Sequence, residues 1–297
     1  MTPLRIWAMA ARPRTLPAAI APVIAGTAAA LYVDDDAFRV GAFGAALAGS
    51  VFIQIGTNLV NDYSDAKRGA DTVDRLGPVR VTAAGLVAPR SVLIATWIAF
   101  GIAVACGAYL ATVAGPIILA VGAVSILAGV LYTGGPRPYG YAGLGEVFVF
   151  LFFGLVAVNG SYFVQLESLD LLPLGLSIAI GCLSTAVLVV NNVRDLDTDR
   201  RAGKNTLAVR IGRPAARRVF VGLIAFAYVM LPVTALIGDV PWWSTAVGLL
   251  SLPLALSASR AVLSRTDGPA LNGALATTGA LLGAFSLLVG AGLLIAS

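Results

Sequence analysis

Nine apolar segments, each close to the length of a membrane span, constrain this 297-residue chain more than any other feature. A span needs about 20 mostly apolar residues, and the chain is 58% hydrophobic but only 12% charged. The segments lie at 15–33, 40–60, 91–111, 116–133, 143–163, 171–190, 218–237, 242–262 and 270–296. The sequence therefore predicts an all-α integral membrane protein that forms one transmembrane domain over residues 1–297.

The distribution of basic residues predicts how these segments cross the membrane. If the N-terminus is cytoplasmic and nine spans alternate, every one of the 20 Lys and Arg residues except Arg39 lies on the cytoplasmic side. This bias follows the positive-inside rule, so we expect a multi-pass protein of the cell inner membrane with its C-terminus outside. The net charge of +5 is then a topology signal and an attraction to anionic lipid and substrate. No nucleic-acid partner is expected.

Two acidic clusters interrupt this charge-poor chain, and both fall on the predicted cytoplasmic side. NDYSDAKRGAD, residues 61–71, follows the second span, and NNVRDLDTDRRAGKNTL, residues 191–207, follows the sixth. Charged groups beside a bilayer are costly, so we expect these acids to be functional. Paired carboxylates favour hard divalent cations, and those cations indicate a phosphorylated substrate. Helix caps and salt bridges to neighbouring arginines are the alternative for either cluster alone.

Spacing within the clusters indicates which side chains face the same way. Asp195 and Asp199 are four residues apart, as are Asn61 and Asp65, and on a helix such pairs share one face. Asp197 points elsewhere. Like charges at this spacing repel unless a cation lies between them. The sequence therefore predicts oxygen ligands for two Mg²⁺ ions at Asn61, Asp62, Asp65, Asp71, Asp195 and Asp199.

Basic residues near the clusters offer positive charge to a leaving pyrophosphate. For each of them taken alone, an ordinary role as a topology anchor at a helix end is the alternative. The candidates are Lys67, Arg68, Arg75, Arg80, Arg137, Arg194 and Lys204, of which Arg137 and Lys204 are the preferred diphosphate contacts.

A third segment, LYTGGPRPYGYAGLGE at residues 131–146, joins spans four and five on the same side. Its glycines and prolines demand irregular backbone. Tyr132, Tyr139 and Tyr141 are candidates to face an aromatic substrate or a carbocation, and an interfacial aromatic belt is the alternative. The chain has no histidine. That absence removes imidazole as metal ligand and general base, and it argues against zinc hydrolysis and triad chemistry.

At these three segments the chain resembles the UbiA superfamily of membrane prenyltransferases. That family carries two aspartate-rich motifs, N-D-x-x-D-x-x-x-D and D-x-x-x-D, after spans two and six of nine. Residues 61–65 match the first motif, but Gly69 stands at its last aspartate position and the acid comes two residues later, at Asp71. This variant is typical of the branch that makes menaquinone. Asp195 and Asp199 match the second motif.

Similarity to the menaquinone branch extends over nearly the whole chain. The segments ARPRTLPAAIAPV at the start of span one, DRLGPVR at residues 74–80, YTGGPRPYGYAGLGE, NNVRD and AGKNTLAVRIG all resemble it. The resemblance implies a UbiA-type bundle of nine transmembrane helices around a central cavity that opens laterally to membrane lipid.

The resemblance also implies the reaction. A polyprenyl diphosphate and 1,4-dihydroxy-2-naphthoate are the expected substrates and Mg²⁺ is the expected cofactor, and loss of pyrophosphate and CO₂ gives demethylmenaquinone. Asp65, Asp195 and Asp199 are the expected catalytic residues. The expected substrate-binding residues are Asn61, Lys67, Arg75, Arg80, Tyr132, Arg137, Tyr139, Asn192 and Lys204.

Alternative functions would require different sequence motifs. A family member that uses 4-hydroxybenzoate, homogentisate, chlorophyllide or haem is the nearest alternative, and segments 61–71 and 131–146 favour the naphthoate branch. A CDP-alcohol phosphotransferase would carry D-G-x-x-A-R, which the sequence lacks. A transporter would place acids near mid-membrane and carry interrupted repeats, whereas these acids lie at predicted helix ends.

Overall fold

The computed structural model describes residues 2–70, 76–77 and 79–297. Every regular element in that part of the chain is helical, so the predicted all-α fold is confirmed. The helices are α1 (Pro3–Ala11), α2 (Pro17–Val33), α3 (Val40–Lys67), α4 (Pro89–Ala114), α5 (Ile117–Leu131), α6 (Gly145–Val149), α7 (Ala157–Leu166), α8 (Leu171–Arg201), α9 (Leu207–Ile237), α10 (Trp242–Ala246), α11 (Leu252–Ser264) and α12 (Gly268–Ala296). A π-helical segment, Phe150–Val156, joins α6 to α7.

Seven helical stretches are long and apolar enough to cross a membrane. They are Val40–Lys67, Pro89–Ala114, Gly145–Leu166, Leu171–Arg201, Leu207–Ile237, Trp242–Ser264 and Gly268–Ala296. An eighth is obtained if Pro3–Thr15 and Pro17–Val33, which meet at a bend of 52°, form one broken span. α5 has 15 residues, fewer than the roughly 20 that a span needs. The described residues therefore support seven or eight of the nine predicted spans.

α8 is the central helix of the bundle. In its most apolar 18-residue window 83% of the residues are buried, against 50% or less in every other candidate span of the described chain. It packs against α2, α9, α12 and the π-helical segment, and small residues permit this close approach. A Cβ at Gly181 would lie 2.9 Å from the ring of Phe150, and one at Gly154 would lie 2.6 Å from the carbonyl oxygen of Ser177.

One end of the bundle brings together segments that are far apart in the sequence. The last turns of α3 and α8 lie there, beside the connection between α5 and α6. The backbone N–H of Asn205 donates to the carbonyl oxygen of Tyr141 at 3.0 Å, and that of Gly140 donates to Tyr132 at 2.9 Å. A Cβ on Gly140 would lie 2.6 Å from the same Tyr132 oxygen, so this fold of the connection requires glycine. Both acidic clusters therefore lie at this end of the bundle.

Candidate active site

A cavity of about 360 Å³ lies between α3, α4, α5, the π-helical segment and α8. The last turns of α3 and α8 form its polar end, and most of its remaining wall is apolar. Small-molecule sites usually combine an apolar cavity with a few convergent polar groups. This cavity is therefore the candidate active site.

Asp65 lies at the centre of the polar end and is almost completely buried. Its Oδ1 accepts a hydrogen bond from the Tyr141 hydroxyl at 2.6 Å. Its Oδ2 accepts from Arg80 Nη2 at 3.1 Å and from Lys204 Nζ at 3.0 Å. Asp65 thus holds two buried cations at the cavity wall, and both are groups that form charge-assisted hydrogen bonds with anionic ligands. The Lys204 ammonium also lies 4.9 Å from the centre of the Tyr141 ring.

Asn61 and Asp62 lie one turn earlier on α3 and point in different directions. Asn61 lines the cavity, and its Oδ1 accepts from the Thr133 hydroxyl at 2.6 Å. Asp62 accepts instead from the backbone N–H groups of Val81 and Thr82, at 3.1 and 2.9 Å. Asp62 thus anchors the backbone that follows Arg80. Its predicted role as a metal ligand stays a prediction.

The second cluster is organised around a buried arginine. Arg194, which is 1% exposed, donates from Nε and Nη2 to the two carboxylate oxygens of Asp195, at 2.8 and 2.6 Å. It also donates to the side-chain oxygens of Asn191 and Asn272 at 2.7 and 2.8 Å. Such a bidentate, charge-assisted pair fixes a carboxylate firmly.

Asp199 follows Asp195 by one turn, and both line the cavity, as their spacing predicts. Asp197 points away from it. Asp197 is exposed and accepts a hydrogen bond from Arg213 at 2.7 Å. The i, i+4 pattern therefore identified the acids of α8 that face the cavity.

The polar end offers the kind of ligands that Mg²⁺ prefers. Within the described ranges, no three His, Cys, Asp or Glu side chains converge closely enough to hold a metal ion by themselves. Mg²⁺ is usually bound by one or two carboxylates together with substrate phosphates and water. The cavity-lining oxygens of Asn61, Asp65, Asp195 and Asp199 are ligands of that kind.

Aromatic rings continue the cavity wall away from the charged end. The Tyr139 ring meets Tyr132 edge-on at 5.4 Å between centroids and stacks on Phe148 at 3.9 Å. Phe148 in turn stacks near Phe152 at 6.2 Å. The hydroxyl of Tyr139 donates to the carbonyl oxygen of Ala128 at 2.9 Å. Burial raises the pKa of Tyr139, so this phenol is neutral at physiological pH and presents an uncharged ring.

The structure brings most of the predicted site residues together. Those that line the cavity are Asn61, Asp65, Arg80, Tyr132, Tyr139, Tyr141, Asn192, Asp195, Asp199 and Lys204. Lys67 and Arg137 are exposed and lie outside the cavity wall, so their substrate-binding role stays a prediction. Asp71 and Arg75 lie outside the described residues.

Several polar residues of the wall are absent from the sequence prediction. Gln54 and Asn58 line the cavity deeper in α3, and both donate to the Thr15 hydroxyl at 3.1 Å. They precede Asn61 and Asp65 at positions that share one helix face. A polar stripe in an otherwise apolar span was the signal that would have found them.

The chain is similar to known proteins over most of its length. The chain matches the UbiA prenyltransferase family over residues 19–277. It is 46% identical over 273 residues to the 1,4-dihydroxy-2-naphthoate octaprenyltransferase of Mycobacterium tuberculosis, covering 92% of this chain and 91% of the relative. It is 39% identical over 287 residues to the Escherichia coli protein of the same name, covering 93% and 91%.

A solved structure shares the fold. It is a UbiA homolog from Archaeoglobus fulgidus bound to DMAPP and Mg²⁺, with a TM-score of 0.64 over 96% of this chain and 99% of that one. Sequence identity to it is 15%, so the likeness concerns the fold alone. It confirms that the helical bundle is of the UbiA type.

Proposed function

The chain belongs to the UbiA prenyltransferase family, and from that premise we propose that it is a Mg²⁺-dependent 1,4-dihydroxy-2-naphthoate polyprenyltransferase. It transfers a long isoprenyl chain from a polyprenyl diphosphate to the naphthoate ring, with loss of pyrophosphate and CO₂, and gives the hydroquinone form of demethylmenaquinone. The names of the relatives at 46% and 39% identity support this assignment. They also confirm the family and the branch that the sequence motifs indicate.

The pairing of Asp65 with two buried cations is the observation that carries the donor site. Arg80 and Lys204 bring two buried cations to the polar end of the cavity, where they can form charge-assisted hydrogen bonds with a diphosphate. Asn61, Asp65, Asp195 and Asp199 would hold Mg²⁺, with Asp62 and Asp71 as further predicted ligands. When bound, Mg²⁺ neutralises charge that develops on the leaving pyrophosphate.

The side chains of the cavity then have distinct tasks. Arg80 and Lys204 hold the pyrophosphate oxygens while the allylic C–O bond breaks and its electron pair leaves with the pyrophosphate. The rings of Tyr139 and Phe148 line the cavity and provide an aromatic wall that stabilises the allylic cation. The apolar wall excludes water, which would otherwise capture the cation.

The acceptor supplies its own electrons. An electron pair of the naphthoate ring forms the new C–C bond at the carbon that bears the carboxylate. Breaking of the bond to CO₂ then returns an electron pair to the ring and restores its aromaticity. No histidine base is required, because the ring is activated by its own hydroxyl groups.

We place this site at the cytoplasmic end of one transmembrane domain, residues 1–297, in the cell inner membrane. Nine spans, with α5 as a short one and α1–α2 as a bent one, put the N-terminus in the cytoplasm and the C-terminus outside. Val121 on α5 lines the cavity and is also 37% exposed. We therefore place a lateral opening to membrane lipid beside Val121, through which a long prenyl tail leaves the cavity.

Product formation tests the proposal. Purified protein in detergent is incubated with 1,4-dihydroxy-2-naphthoate, a long polyprenyl diphosphate and Mg²⁺, and mass spectrometry detects demethylmenaquinone. We expect product that disappears when EDTA removes the metal. Prenylation of 4-hydroxybenzoate alone would preserve the family assignment and reject the acceptor. A folded protein that prenylates neither acceptor would reject the proposal.

A further inference from the structure

Glu146 is a buried acid for which the reaction above has no task. The chain has only two glutamates, and they lie at opposite ends of the Gly145–Leu166 helical stretch. Glu167, just beyond its far end, is exposed and pairs with Arg39 at 2.8 Å. Glu146 is 8% exposed, and within the described residues no Lys or Arg pairs with it. Burial of an acid is costly, so its retention calls for a specific partner.

That partner is Asn192. The Asn192 amide Nδ2 donates to Glu146 Oε1 at 2.9 Å, and both groups are buried. The second carboxyl oxygen, Oε2, is buried and has no hydrogen-bond partner among the described residues. The one side-chain hydrogen bond of Glu146 in that part of the chain therefore goes to a neutral amide and not to a cation.

The direction of this hydrogen bond fixes the orientation of the Asn192 side-chain amide. Asn192 donates to Glu146 through Nδ2, so the amide nitrogen faces the carboxyl group and the amide oxygen Oδ1 faces away from it. Asn192 lines the cavity and Glu146 does not. Asn192 also precedes Asp195 and Asp199 by three and seven residues, which places it on the same face of α8.

We propose that Glu146 is a positioning residue for the aromatic acceptor: it holds Asn192 so that Oδ1 accepts a hydrogen bond from a ring hydroxyl. The inference rests on the proposed function, which supplies a hydroxylated aromatic acid as acceptor. A hydroxyl bound at Asn192 lies beside the acidic face that binds the donor. The ring is thereby oriented towards the allylic carbon, and an acid without the hydroxyl is bound less well.

Binding of two stable acids tests the inference without turnover. 1-Hydroxy-2-naphthoate and 2-naphthoate differ by one hydroxyl, and their Kd values are measured by calorimetry on purified protein in detergent. We expect the wild type to favour the hydroxylated acid by about tenfold, the worth of one good hydrogen bond. Glu146→Ala and Asn192→Ala should lose this preference. Glu146→Gln should keep it, because the glutamine Oε1 still accepts from Asn192. Glu167→Gln is the control and should match the wild type.

Kinetics with the full substrates then separate positioning from general damage. Glu146→Ala should raise KM for the naphthoate about tenfold and leave KM for the prenyl diphosphate unchanged. The double variant Glu146→Ala/Asn192→Ala should be no worse than Asn192→Ala alone, because one residue acts through the other.

Three results would overturn the inference. They are equal binding of the two acids by the wild type, additive effects in the double variant, and a Glu146→Gln protein as impaired as Glu146→Ala. Failure of the proposed function is distinguishable, because a wild-type protein that discriminates the two acids but makes no product would reject the reaction and retain the acceptor site.

Discussion

The two acidic clusters face the same cavity, but their carboxylates are held in different ways. Asp65 of the first cluster accepts hydrogen bonds from Arg80, Tyr141 and Lys204, which are 15, 76 and 139 residues away in the sequence. Asp195 of the second cluster is held by Arg194, its immediate neighbour on α8. The first carboxylate depends on the connections between helices, and the second depends on the central helix.

This difference indicates which cluster changes during the reaction. Connections move at a smaller cost in free energy than a packed helix does. In the proposed reaction we therefore expect Arg80 and Lys204 to transfer from Asp65 to the diphosphate. Arg194 is also bonded to Asn191 and to Asn272 of α12, so it is a fixed part of the bundle. We expect substitutions in the first cluster to affect turnover and those at Arg194 to affect stability.

Removal of the Asp65 charge should have the largest effect. Asp65→Asn keeps the shape of the side chain but loses a metal ligand and the charge that balances Arg80 and Lys204. We expect kcat to fall by at least about 10²–10³-fold, measured as the rate of product formation. The matched control is Asp197→Asn, an exposed acid whose loss should change kcat by less than about twofold. Activity near that of the wild type in a folded Asp65→Asn protein would contradict the assignment of this site.

Substitution of Arg194 tests how the carboxylate of the second cluster, Asp195, is held. Arg194→Met removes the bidentate hydrogen bonds to the buried carboxylate of Asp195, and loss of one partner of a buried ion pair typically costs about 3–5 kcal/mol of folding free energy. We expect a clear fall in the thermal unfolding midpoint in detergent. The double variant Arg194→Met/Asp195→Asn should recover part of it, because the buried carboxylate charge is removed together with its arginine. No recovery would show that Arg194 stabilises the bundle by packing or through Asn191 and Asn272.

The helices and one face of the site could be predicted from the sequence because they follow local rules. Backbone groups in lipid must be satisfied within each span, so apolar length alone indicates the helices. The spacing of Asn61 with Asp65 and of Asp195 with Asp199 likewise reports a shared helix face, and all four line the cavity.

The partners of these acids could not be predicted, because they depend on contacts between distant segments. The backbone donors to Asp62 come from residues 19 and 20 positions later, in a connection without helical periodicity. A basic residue near a cluster also looks the same in the sequence whether it faces the cavity or solvent. Lys204 faces the cavity and Arg137 does not, although the sequence favours both equally as diphosphate contacts.

The two lysines of the chain allow a second test of the first cluster, with a smaller expected effect. Lys204 is buried on Asp65, whereas Lys67 is exposed and outside the cavity wall. Lys204→Met should raise KM for the prenyl diphosphate by about tenfold, because one charge-assisted hydrogen bond to the donor is lost. KM for the naphthoate should not change. Lys67→Met should leave both KM values within about twofold of the wild type, and a large effect there would support the original sequence prediction for Lys67.

The smallest effect is expected far from both clusters, in the apolar part of the cavity. Gly107 of α4 lines that part, and a Cβ there would meet no atom within 4 Å. A larger side chain would therefore project into space that a prenyl tail would occupy. Gly101 of the same helix also has open space around it, but it is exposed and does not line the cavity. The two positions form a matched pair with equal gains in helix propensity on substitution.

Gly107→Leu should therefore change donor preference without disturbing either acidic cluster. We expect kcat/KM for a long prenyl diphosphate to fall about tenfold relative to that for geranyl diphosphate, a cost of about 1.4 kcal/mol that is typical of overpacking. The ratio for Gly101→Leu should equal that of the wild type. Metal dependence and the thermal unfolding midpoint should be the same in both variants. An equal loss for short and long donors would show that Gly107 supports the charged end of the site, and an unchanged ratio would show that the tail follows another path through the wall.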